Sequence, residues 1–111
     1  MDEKKIVLTT AGSREEAQQI ARALVERRLA ACVSLVGPIE SIYRWKEGVE
    51  SAPEWLLIIK TTAAAFPGVR GAIGELHSYE LPECLLIPIE DGSPAYLRWI
   101  AENVGGTGLK T

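Results

Sequence analysis

The chain has 111 residues, 47% hydrophobic and 24% charged, with a net charge of −3, the balance of an ordinary globular protein of one domain that buries about two-thirds of its extended surface. That charge argues against a nucleic-acid partner, and no apolar run reaches the length of a membrane span. The opening Met1-Asp2-Glu3-Lys4-Lys5 precedes too short and too acidic a segment for a secretion signal, and two cysteines outside any Cys-x-x-Cys pair make no disulfide framework, so a cytoplasmic chain with reduced thiols is expected.

Lys4 to Thr10 is a β-branched and apolar run that ends at the turn signal Ala11-Gly12. Ser13 followed by Glu16 matches a capping box, and Ala17, Ile20, Ala21, Leu24, Val25 and Leu29 recur at helical spacing, which predicts a first amphipathic helix. From Ala31 to Trp45 the pattern is that of a long strand, interrupted at Gly37-Pro38 by a bulge or bend. Lys46-Glu47-Gly48 supplies a hairpin turn, and the return strand runs from Val49 to Thr61. Its second half, Trp55 to Ile59, is apolar without alternation, the mark of burial on both faces.

Thr62 to His77 reads as a second helix with Pro67 in its first turn and a stripe of Val69, Ile73 and Leu76. Gly68, Gly71 and Gly74 each cost about 1 kcal/mol against alanine inside a helix, so this helix leans on packing or on a neighbour's close approach. Cys84 to Ile89 is a last strand, placed at a sheet edge by Pro88. Asp91-Gly92-Ser93-Pro94 opens a third helix carrying Tyr96, Trp99 and Ile100. The reading is a single domain over 1–104 and a flexible tail over 105–111.

This order, βαββαβ plus a C-terminal helix, is the α+β ferredoxin-like sandwich with a long hairpin between its second and third strands. Right-handed crossovers put the first and third strands in the centre and the second and fourth at opposite edges. Cys32 and Cys84 then lie roughly 14 Å apart, beyond disulfide reach. Both crossover helices cover one face only, and Ile39, Tyr43 and Trp45 project from the second strand, so self-association is expected to cover the other.

The densest chemistry is His77-Ser78-Tyr79-Glu80-Leu81-Pro82-Glu83-Cys84, which holds the single histidine, a thiol and carboxylates on a loop feeding a strand. Imidazole, thiolate and carboxylate are the groups that ligate transition metals or move protons near neutral pH. The plainer alternative makes His77 a helix-terminal residue and Cys84 a small buried apolar group.

Five segments resemble the CutA divalent-cation tolerance family: Leu29-Ala30-Ala31-Cys32-Val33, Ser41-Ile42-Tyr43-Arg44-Trp45, Lys60-Thr61-Thr62, the stretch from His77 to Glu83, and Tyr96-Leu97-Arg98-Trp99. They span nearly the whole chain in the right order. The resemblance implies a homotrimer joined by long hairpins, a part in tolerance to copper and other divalent metals, and no enzymatic activity. Likeness to the PII signalling proteins is one of fold and trimer only. Ser78 stands where the family usually has proline, and Thr9 and Ala72 stand near positions where some members carry cysteine.

On this reading the expected metal ligands are His77, Cys32 and Glu83, which suit copper or zinc but do not complete a set within one chain. By strand alternation Cys32 shares a face with Ser34, opposite Ala31, Val33 and Leu35, and so turns toward the open side. A ligand cleft between subunits would use Lys60, Tyr79 and Trp99 beside His77 and Glu83. Each has a bland counterpart: Cys32 packed at an interface, Lys60 solvated at a strand end, Tyr79 and Trp99 as core edges, Glu83 in a surface ion pair. The other classes are a PII-like scaffold and, less favoured, an enzyme with Cys84 or Cys32 as nucleophile and His77 as base. RNA binding on the sheet lacks the aromatic pattern it needs.

Overall fold

The structure is a computed structural model that describes residues 2–105. Its elements are β1 (Lys4–Ala11), α1 (Arg14–Glu26), β2 (Cys32–Trp45), β3 (Gly48–Thr62), α2 (Phe66–Leu76), β4 (Leu85–Pro88) and α3 (Pro94–Asn103). The sheet order is β2-β3-β1-β4, all neighbours antiparallel. This is the expected ferredoxin-like order, with the two cysteines toward opposite edges and both free.

One face of the sheet makes the main core. Val7, Leu57 and Ile59 meet Ala17, Ile20 and Leu24 of α1 and Val69 and Ile73 of α2 there. Strand alternation sends the intervening residues to the other face, where α3 adds a smaller cluster of Ile100 and Val104 around Ala31. A single helix cannot span four strands. Leu56 and Ile58 therefore stay half-exposed, so the expected burial of β3 on both faces holds for its helix side only within one chain.

The Gly37-Pro38 interruption is a register shift between Val36 and Ile39. Gly37 is required there by close approach, since a Cβ would lie 2.5 Å from the Trp55 ring. Beyond this bulge the two strands run on as an arm. β1 pairs with β3 only as far as Ala11 opposite Trp55, so the ribbon from Ile39 to Glu54 has no third strand.

Helix α2 starts later than its periodicity suggests. Thr62 remains paired with Lys4 in β3, and its hydroxyl accepts from the Ala65 amide at 3.2 Å, using it as a strand-to-helix corner. His77 is the cap that follows the helix rather than its last residue. Pro67 does sit in the first turn, and Gly68 faces Leu29 so closely that a Cβ would meet it at 2.7 Å. Of the segment expected as a tail, all but Gly105 lies outside the described residues. Gly105 exchanges hydrogen bonds with Arg28, its amide to the Arg28 carbonyl at 2.8 Å and its carbonyl from the guanidinium at 2.9 Å.

Candidate functional site

The loop after α2 is tied down by three consecutive residues, each to a different element. His77 is buried, and its Nε2 donates to the Thr10 carbonyl at 2.5 Å. A carbonyl only accepts, so Nε2 carries the proton and Nδ1 is the acceptor, which takes the Tyr79 amide at 3.1 Å. Ser78 donates its amide and its hydroxyl to the Glu16 carboxylate on α1, at 2.7 and 3.1 Å. The Tyr79 hydroxyl donates to Glu54 on β3 at 2.7 Å.

These contacts set the local electrostatics. Burial raises the Glu16 carboxyl, but the Ser78 amide and hydroxyl and the Gly12 amide pull it to a net value below the usual one. Tyr79 is held well above its ordinary value by burial and then by its bond to Glu54. Glu83 is pushed up by partial desolvation and by the nearby Glu54 carboxylate, and Glu54 itself is only 8% exposed. The loop is thus an acidic corner with a fully engaged histidine at its base.

Lys60, Cys32 and Trp99 belong to a second group. Lys60 pairs with Cys32 across β2 and β3. Its amine donates to Ser34 Oγ at 2.6 Å and lies 3.9 Å from Cys32 Sγ. Cys32 therefore turns to the open face as strand alternation predicts, while Val33 and Leu35 pack on the main core; Ala31, expected beside them, precedes the strand and joins the α3 cluster instead. Tyr96 of α3 approaches Cys32, and its phenol is raised by burial and then by that sulfur. Trp99 stacks on Tyr96 with ring centroids 5.4 Å apart. Lys60 lies six residues beyond Glu54 on β3, about 20 Å along the strand. One chain accordingly brings together His77, Tyr79 and Glu83 at one end, and Lys60, Cys32 and Trp99 at the other.

Among the described residues no three His, Cys, Asp or Glu side chains converge into a metal-holding group. His77 would ligate only by giving up the Thr10 carbonyl or the Tyr79 amide, whereas Glu83 is exposed and Cys32 half-exposed. Cys84 packs on the main core, and burial raises its thiol against the opposing charge of Arg70, contrary to what a nucleophile needs.

Glu16, Glu54, Ser34 and Tyr96 join these two groups although the sequence marks none of them as a site residue. Glu16 reads as the second half of a capping box, and Ser13 Oγ does accept the Glu16 amide at 3.1 Å. Its carboxylate, however, goes to Ser78. For Ser34 the signal was present, since it shares a strand face with Cys32.

Comparison with known proteins places these observations. The sequence model of the CutA1 divalent ion tolerance protein matches residues 5–103. The divalent-cation tolerance protein CutA of Thermus thermophilus is 47% identical over 102 residues, covering 92% of this chain and 99% of that protein, and its solved structure superposes with a TM-score of 0.90. Protein CutA of Mus musculus is 41% identical over 89% of this chain, which spans 58% of that longer protein. A structure described as the periplasmic divalent cation tolerance protein CutA of Archaeoglobus fulgidus shares 41% identity, with a TM-score of 0.89 over 92% of this chain and 99% of that one.

Proposed function

Because the chain belongs to the CutA1 divalent ion tolerance family, we propose that it acts without catalysis, as a homotrimer that binds copper or another divalent metal, or a small ligand, in clefts between its copies. The observation that carries this reading is the uncovered apolar surface. Ile42 and Val49 are 68% and 66% exposed on one side of the arm, and Tyr43 and Trp45 are 39% and 38% exposed on the other. A ribbon of two strands with apolar side chains on both sides is not stable alone in water.

Copies packed on the open face would also bring one chain's Lys60 end toward another chain's His77 end, which a single chain holds about 20 Å apart. Metal ligands would then come from more than one chain, Cys32 from the face and Glu83 from the loop rim, with His77 joining only after release of one ring bond. The names of the matching family model and of the Thermus thermophilus relative support a divalent cation as the ion handled. A PII-like scaffold without metal is the second reading, favoured by the lack of a converged ligand group among the described residues. The proposal places the protein in the cytoplasm. No helix among the described residues is long and apolar enough to cross a membrane.

Sedimentation with copper, zinc and cadmium titrations tests this reading on the unaltered chain and on Cys32→Ser and His77→Ala. A trimer whose metal affinity falls at least tenfold in Cys32→Ser is expected. Equal affinity in all three proteins discards the ligands and leaves the scaffold, and a stable monomer at micromolar concentration discards the clefts.

A further inference from the structure

We infer that Lys60, Ser34, Cys32 and Tyr96 form a binding site for a small oxyanion, a carboxylate or a phosphate group. The inference deepens the small-ligand branch of the proposed function and rests on it. Hydrogen-bond donors converge on one spot of the open face. The Lys60 amine gives one proton to Ser34 Oγ at 2.6 Å and approaches Cys32 Sγ at 3.9 Å, which leaves a proton free to point outward. Ser34, having accepted that bond, still has its own hydroxyl proton to donate. The Tyr96 phenol beside Cys32 offers a third O–H donor.

The charge balance of the spot is unmatched. Lys60 is half-buried on a sheet face, flanked in register by Ile6 and Cys32. Among the described residues no carboxylate lies within ion-pairing distance of its amine. A partly desolvated ammonium without a counter-charge favours an anion, and an oxyanion accepts from several donors at once. The stacked Tyr96 and Trp99 rings of α3, 43% and 40% exposed, add an apolar wall beside the donors.

The test titrates the full-length chain with inorganic phosphate and with succinate, reading amide shifts by NMR and heat by calorimetry, with sedimentation on the same samples. Saturable binding of at least one probe is expected. It should weaken at least tenfold in Lys60→Met, weaken less in Ser34→Ala, be largely retained in Lys60→Arg and be unchanged in Lys5→Met, each checked for folding by circular dichroism. Which probe binds identifies the source of the oxyanion. Absence of saturable binding by both, or equal binding by Lys60→Met, overturns the inference. So does dissociation of the assembly in Lys60→Met when neither probe binds the unaltered chain, since the amine would then be an interface ion. A wild-type monomer would instead remove the inter-subunit cleft, an outcome read from sedimentation alone and separate from the titration.

Discussion

Glu16 lies on the first helix, yet its carboxylate holds a loop 62 residues away through two Ser78 donors. Charge-assisted bonds of this kind contribute about 1.5–3 kcal/mol in sum when they are well shielded. Because the folded carboxyl sits below its usual value, its contribution is complete above the unfolded pKa, about 4.3, and fades as pH falls through the depressed folded one. Glu16→Gln should therefore be less stable than the unaltered chain at pH 7 by about 1–2 kcal/mol, with the gap closing toward pH 3. Urea denaturation of both proteins at the two pH values checks this, and a gap of equal size at both would assign the loss to packing rather than charge. The loop's composition was legible from sequence because histidine, thiol and carboxylates stand together in it. Its anchors were not, because Glu16 and Glu54 reach it only through the fold and neither local spacing nor a motif records such a contact.

Among the elements, turn chemistry and apolar period carry most of what the sequence discloses. Ser13, Pro67, Pro94 and the Gly37-Pro38 break all act where the chain suggested they would. The start of α2 escaped that reading because Thr62 serves strand and helix corner together, a choice made by pairing with Lys4. The three glycines of α2 also separate by environment. Gly68 leaves room for Leu29, whereas Gly71 and Gly74 are exposed with open space where a Cβ would go. Alanine at either exposed position should stabilise the chain by about 0.5–1 kcal/mol, by helix propensity and reduced freedom of the unfolded state. Gly68→Ala should lose that gain or reverse it through the Leu29 contact. Thermal unfolding of the three variants decides the matter. Destabilisation at Gly71 or Gly74 would mean that another surface presses on that side of the helix.

At the scale of the whole molecule the chain is longer than its residue number requires. Its radius of gyration is 14.7 Å and its extents are 50 × 27 × 21 Å, against about 13 Å expected for a compact domain of this length. The arm accounts for the excess, since β3 residues from Gly48 to Glu54 run past the end of β1, a reach of about 23 Å. In a lone chain Ile42 and Val49 at its tip face water, and exchanging such exposed side chains for glutamate changes stability by less than about 0.5 kcal/mol. If copies of the chain cover the arm, each glutamate is instead buried without a partner, which costs several kcal/mol per interface. Ile42→Glu and Val49→Glu should then convert the sedimenting oligomer to smaller species and lower the unfolding temperature by tens of degrees. The same substitutions should leave the secondary structure seen by circular dichroism in place, because the main core of Val7, Leu57 and Ile59 lies at the other end of the sheet. An oligomer of unchanged size and stability would show that the arm stays in water, and the apolar residues on its two sides would then need a different partner to account for them.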